Sequence, residues 1–246
     1  MNYVFTPGEP GVHDIAVVQS FVDSLPTEEE QHHSMVIFFN LQNLNGYVND
    51  YASAIGLRRY AQTLREEVLR NLPFGTSDFT NQMHMLNKWD DMAGREASMT
   101  VFHVGKTLMQ IKENLRLTGT IRADTDSAIL RSASRELERA FPNHEVARHA
   151  AGHRAEAFAS LDSMKANAID VEEGQKLLIG SMDGDEYVAT FKKKLIKVPL
   201  NEEARQRLSG VVALIYSAFP KLVHMLPQLN FGVQASACNH APSEKL

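Results

Sequence analysis

Apolar residues at Met35, Phe38, Leu41, Leu44 and Val48 recur at three- and four-residue steps, which is one face of a helix over 34–54. The β-branched and aromatic run Val36-Ile37-Phe38-Phe39 leaves a strand as the alternative there. Upstream, after a short apolar piece at 15–25, Pro26-Thr27-Glu28-Glu29-Glu30 reads as a helix start, with Thr27 as cap and acids in the first turn. Gly56 is expected to end that helix, 57–72 to form another before Pro73, and 73–80 to be a loop. A long helix follows over 81–115, striped by Val101, Val104, Leu108, Ile111 and Leu115 and ended by Gly119. Thr125-Asp126-Ser127 opens the next, which carries Ile129, Leu130, Leu137 and Phe141 until Pro142 stops it. Asn143 then caps a helix over 144–159.

Beyond Leu161 the period falls to two. Asp183-Gly184 is a two-residue hairpin signal between 175–182 and 185–191, and Tyr187, Ala189 and Phe191 alternate, as do Ile196, Val198 and Leu200. The chain turns again near Lys193, and Asn201 caps a last helix to about residue 225, lined by Leu208, Val211, Val212, Ile215 and Phe219. The fold class expected is mainly α: a helical bundle with a small antiparallel β-meander near the C-terminus. Residues 1–246 form one domain on this reading, with a helical core over 81–160, the meander over 175–200 and the last helix over 201–225.

Composition narrows the setting. With 43% hydrophobic and 22% charged residues the chain is an ordinary globular sequence, not a disordered one. A net charge of −5 gives no general attraction for nucleic acid, so any such contact needs a local basic patch, and no DNA-specific signal is present. A single cysteine, Cys238, excludes an intrachain disulfide and fits a reducing compartment. The N-terminus lacks the basic and apolar regions of a signal peptide, and the apolar runs 35–39 and 211–216 are too short to span a bilayer. A cytoplasmic protein without membrane contact is expected.

Candidate chemistry concentrates in 141–156, where His144, His149 and His153 fall close to Arg148 and Arg154. A guanidinium gives two parallel hydrogen bonds to phosphate oxygens and stays charged at any working pH. A histidine takes or gives a proton near neutral pH, so Arg148 and His153 together have the parts to cleave RNA through its own 2′-hydroxyl. On a regular helix the two lie about 140° apart, so they converge only if the helix begins near Arg148 or a second chain completes the site. Arg139 and His144 also fit Arg-x4-His; the stricter Arg-His-x-x-x-His occurs once.

Arg148-His149-Ala150-Ala151-Gly152-His153, opening a helix after a long and a short one, resembles the HEPN superfamily of compact helical bundles. Its ribonuclease members carry an Arg-polar-x(3–5)-His motif. The resemblance covers 81–160 and implies metal-independent RNA cleavage, without cofactor, at a site formed by two motifs across a homodimer interface. It makes Arg148 the phosphate holder, His153 the general acid/base and His149 the polar neighbour. Some members use an acidic residue on an earlier helix to orient the arginine, and Glu96 is the candidate here, with Asp91 and Arg95 as equals in position. The plain alternative is a charged stripe in which Glu96 and His103 share a face.

Other constellations are sparser. His149 and His153 at i, i+4 could share a zinc ion, but no His-Glu-x-x-His or cysteine pair accompanies them, and no metal is expected. Lys192, Lys193 and Lys194, with Lys197, are candidates for RNA phosphate contacts or simply a charged hairpin tip. Trp89 reads as a core anchor rather than a base-stacking platform. Against the endoribonuclease stands a non-catalytic helical binding or assembly module.

Overall fold

Thr27 does start a helix: its hydroxyl accepts from the Glu30 amide, and Glu28, Glu29 and Glu30 fill the first turn. In the computed structural model, which describes residues 15–152, 154–171, 175–222 and 225, this helix follows α1 (Ile15–Asp23) and runs unbroken as α2 (Glu28–Asn71). Its 44 residues span about 66 Å at 1.5 Å per residue. The run 36–39 is helical, as the spacing of the apolar residues implies, with Ile37 and Phe38 buried and Phe39 exposed; the expected stop at Gly56 fails, since the helix runs through it. A lone glycine costs a helix only about 1 kcal/mol, and its neighbours Ile55 and Arg58 are both buried.

A turn at 73–75, with Gly75 at φ +83°, reverses the chain. Thr76 then caps α3 (Ser77–Leu115) by accepting from the Phe79 amide, so the expected loop is shorter and the helix starts four residues early. Contacts at Arg65–Asp90, Tyr47–His103 and His33–Asn114 show α2 and α3 antiparallel along their length. Gly119 does not end α3 but opens α4 (Gly119–Asp124). The Thr118 hydroxyl donates back to the Leu115 carbonyl and caps no α4 amide, and buried Glu30 of α2 serves instead, accepting from the Thr120 amide at 2.5 Å. Asp126 caps α5 (Ser127–Ala140) through the Ala128 and Ile129 amides, and Pro142 follows its end.

The expected helix over 144–159 is helical as α6 (His144–Gly152) and α7 (Arg154–Ala157), on either side of residue 153, which lies outside the described residues. Asn143, expected as an extended cap, has φ +62° and works as a left-handed corner. α8 (Leu161–Asn167), capped by Ser160, was not legible in the pattern. A two-residue ladder joins β1 (Ile169–Asp170) to β2 (Lys176–Leu177). The antiparallel meander is β3 (Gly180–Asp183), β4 (Glu186–Phe191) and β5 (Lys194–Pro199), in sequential order. Its first turn centres on Gly184-Asp185, one residue later than expected, with positive φ only at Gly184. Its second turn is Lys192-Lys193, both at positive φ, the two-residue geometry usually given to Asn-Gly. Asn201 caps α9 (Glu202–Ser217), which stops short of the expected 225 because Pro220 follows.

The fold is mainly α with this small sheet beside it. One apolar core joins α2, α3, α5 and α9 through Leu44, Tyr51, Val104, Ile111, Leu137, Val212 and Tyr216. A second holds the meander against α6 through Ala147, Ala151, Tyr187, Ala189, Ile196 and Val198. Gly94 permits the sheet to reach α3: a Cβ there would meet Tyr187 Cδ2 at 2.5 Å. Among the described residues no helix is long and apolar enough to cross a membrane.

Past the level of the sheet, α2 and α3 continue as a two-helix arm. Its buried seam is Ala61 and Val68 with Leu64 and Leu72 from α2, and Phe79 and Leu86 with Met83 and Trp89 from α3. Those positions recur at three and four residues, the spacing of a coiled-coil seam. Over residues 59–71 the arm extends about 20 Å.

Candidate functional site

α6 lies between α3 and the sheet, and its two flanks carry the expected functional side chains. It runs antiparallel to α3: His144 sits over Gly105, Lys106 pairs with Glu145 at 3.4 Å, and Arg148 lies over Phe102. The Arg148 guanidinium stands 5.0 Å from the Phe102 ring centre, with Lys106 Nζ at 5.6 Å from the same ring. Arg148 is half-buried and has no carboxylate partner among the described residues. On the other flank His149 stacks on Phe191 at 5.8 Å and 13°, and Lys192 Nζ approaches that ring at 5.3 Å. Phe102 and Phe191 belong to no motif, and only the packing of α6 reveals them as ring partners of Arg148 and His149.

The structure therefore brings His149 and Lys192 together on the sheet flank of α6 and leaves Arg148 on the flank that faces α3. Lys193 shares the exposed hairpin tip with Lys192, while Lys194 opens β5 and is exposed. The Lys192 amide donates to Asn167 Oδ1 at 3.2 Å, which ties the tip to α8. His153 lies outside the described residues, as does Cys238. α6 begins at His144, not near Arg148. Glu96 is exposed on α3, six residues from Phe102 and hence about 120° around the helix, and makes no contact with Arg148 among the described residues. Arg95, seven residues from Phe102, shares its face.

The second Arg-x4-His match is structural. Arg139 pairs with Glu136 at 3.0 Å within its own helix. His144 is held by the Phe141 carbonyl at 3.2 Å and Glu138 at 3.4 Å, against a glycine whose Cβ would sit 2.5 Å from its Nε2. Nearby, His103 stacks on Tyr47 at 5.4 Å. Desolvation holds the Asp50 carboxyl above its ordinary range, and His103 pulls it back down. Among the described residues no three His, Cys, Asp or Glu side chains are placed to share a metal.

No family model, curated protein or solved structure matches this chain. The HEPN-like expectation rests on its motif residues and the order of the helices around them. On the surface of the molecule the arm stands out. Tyr60, 57% exposed, stacks on Trp89 at 6.1 Å and 15°, and Met85 and Met92 are 42% and 50% exposed on the same side of α3. At the tip Phe74, 90% exposed, meets Phe79 edge-on at 5.2 Å. Trp89 is thus half in the seam, as an anchor, and half out of it.

Proposed function

We propose that this chain is a helical assembly module that pairs with a second copy of itself through the α2–α3 arm. The observation that carries the reading is the stripe Met85, Trp89 and Met92, widened by Tyr60. Spacing of i, i+4 and i+7 puts three large anchors on one helix face, and Met, Trp and Tyr are the residues enriched at interface centres. Met85 and Met92 take no part in the arm's own seam, and Trp89 joins it with only part of its ring.

A second copy fits better than an unrelated partner because the stripe is nearly symmetric about Trp89. Antiparallel apposition of two α3 helices seats each copy's Met85 against the other's Met92, as a twofold interface requires. Two arms so joined make a four-helix bundle. A cytoplasmic setting belongs to the same reading, since the sequence holds one cysteine. The test is the mass in solution by light scattering, at concentrations up to about 100 μM. Wild type is expected as a dimer, and Met85→Glu/Met92→Glu as a monomer with an unchanged helical spectrum. A wild-type mass of one chain overturns the reading.

One observation favours a second reading, RNA contact at α6 with cleavage by Arg148 and His153. Arg148, His149, Lys106 and Lys192 interleave with Phe102 and Phe191, the alternation of cations and rings used to hold single strands. Here the assay is cleavage of a generic RNA in EDTA by wild type, Arg148→Ala and His153→Ala. Loss in both variants establishes it; equal cleavage by all three, or none by any, removes it.

A further inference from the structure

A cavity of about 300 Å³ lies where α3 ends and α5 begins, lined by Lys112, Arg116, Arg122 and Arg131 with Leu115, Leu130, Thr125 and Ser127. Four cations and no carboxylate face it, in a chain whose net charge is −5. None of the three arginines has an acidic partner among the described residues. Of the acids beside Arg122 and Ser127, Asp126 caps α5 and Asp124 pairs with Lys221 at 2.6 Å, and the exposed Glu113 next to Lys112 does not line the cavity. Among the described residues Lys112 donates to the Ser134 hydroxyl, which lies just outside the cavity's lining.

Helix dipoles explain part of this clustering. Lys112 and Arg116 sit at the C-terminal end of α3 and Arg122 in the last turn of α4, where cations are favoured. They do not explain Arg131, five residues into α5 near that helix's positive end, nor the convergence of all four on one concavity. The arrangement carries a visible cost. The Lys112 ammonium is driven below its ordinary pKa, by desolvation first and by Arg131 second. Like charges held together without a counter-ion are destabilising, and an anion of matching size relieves them.

We infer that this cavity binds a small phosphorylated molecule carrying at least two phosphate groups. The size is at the lower end of small-molecule sites, and the cations gather at one exposed concavity instead of forming the extended basic track that a nucleic-acid strand needs. Three guanidiniums supply paired donors to phosphate oxygens, Lys112 a point charge at the wall, and the Ser127 hydroxyl a further donor. Sulfate, with one centre, engages only part of the set. The inference is independent of the arm and of α6: none of their residues lines the cavity.

Titration calorimetry at constant ionic strength, with inorganic pyrophosphate, tripolyphosphate and sulfate as probes, tests it. Pyrophosphate or tripolyphosphate is expected to bind at least about tenfold tighter than sulfate, and Arg122→Gln/Arg131→Gln to abolish that preference while keeping the wild-type helical spectrum. Arg135→Gln, an exposed arginine of α5 that does not line the cavity, is expected to bind as wild type does. Equal affinity for the three anions, or full binding by the double variant, overturns the inference.

Discussion

Replacing Arg58 with methionine removes the guanidinium that fastens α2 to the meander. Arg58 Nη1 donates to Asp185 Oδ1 at 2.6 Å and to the Leu200 carbonyl at 3.3 Å, and Nη2 donates to the Gly184 carbonyl at 2.5 Å. One side chain thus holds the β3–β4 turn and the chain just past β5, which Tyr51 also grips through the Pro199 carbonyl. Bonds to a charged group are worth about 1.5–3 kcal/mol each, but they do not simply add, and buried Arg58 Nε has no partner, which offsets part of the gain. Methionine keeps most of the packing of the arginine stem. The expected cost is about 2–4 kcal/mol, or a melting temperature lower by roughly 5–15 °C for a chain of this length.

The informative control is Asp185→Asn. Arg58 is 11% exposed in its side chain and Asp185 63%, so the carboxylate is solvated in either state while the guanidinium is not. Removing the carboxylate leaves both carbonyls in place as acceptors and is expected to cost no more than about 1 kcal/mol. Thermal unfolding followed by circular dichroism measures both. If Asp185→Asn destabilises as much as Arg58→Met, the ion pair and not the buried carbonyl clamp holds the sheet, and the reasoning fails.

Two glycines make a paired prediction of opposite sign. Gly94→Ala drives a Cβ to 2.5 Å from Tyr187 Cδ2 and 2.7 Å from Met182 Sδ; with Tyr187 fully buried, about 1–3 kcal/mol of overpacking exceeds the helix gain of about 1 kcal/mol, and urea unfolding should show a net loss. Gly56→Ala has nothing within 4 Å and should gain about 0.5–1 kcal/mol in the same assay. A third prediction concerns acid. The hydrogen bond from Arg205 holds the Glu202 carboxyl below its ordinary value of 4.5, so its contribution is present above that pH and is lost as pH falls through the lowered value. Arg205→Gln should therefore cost up to about 1 kcal/mol at pH 7, a ceiling set by the solvent exposure of the pair, and nothing measurable once Glu202 is protonated; an equal cost at both pH values refutes the linkage.

What was legible in the sequence was what is decided locally. Thr27, Asp126 and Asn201 cap because a short polar side chain followed by free amides needs no distant partner. The alternation of Ile196, Val198 and Leu200 survives because one face of β5 meets the core. The errors share a cause as well. Gly56 reads as a stop and Gly94 as unremarkable, yet the first is indifferent and the second essential, because only the partner helix and sheet decide what a missing Cβ is for. Lys192-Lys193 take a turn that local preference gives to Asn-Gly, and the Asn167 side chain, twenty-five residues earlier, helps hold them there.

The same division explains why the motif drew attention and the cavity did not. Arg148, His149 and His153 are five residues apart at most, so a linear pattern finds them, but such a pattern is blind to Phe102 and Phe191, which the two described side chains contact. The cavity reverses that weighting. Lys112, Arg116, Arg122 and Arg131 belong to three elements and follow no period, so along the chain they are ordinary surface cations. They become a site only because Glu30, reaching from α2 to the Thr120 amide, fixes the short α4 in the corner between α3 and α5. It follows that Glu30, though it does not line the cavity, governs its shape. Glu30→Gln keeps an acceptor but loses the charge at the Thr120 amide, and the expected signature is weaker pyrophosphate binding with all four cations intact. Unchanged binding would mean that the corner is set by Ile121 in the core instead.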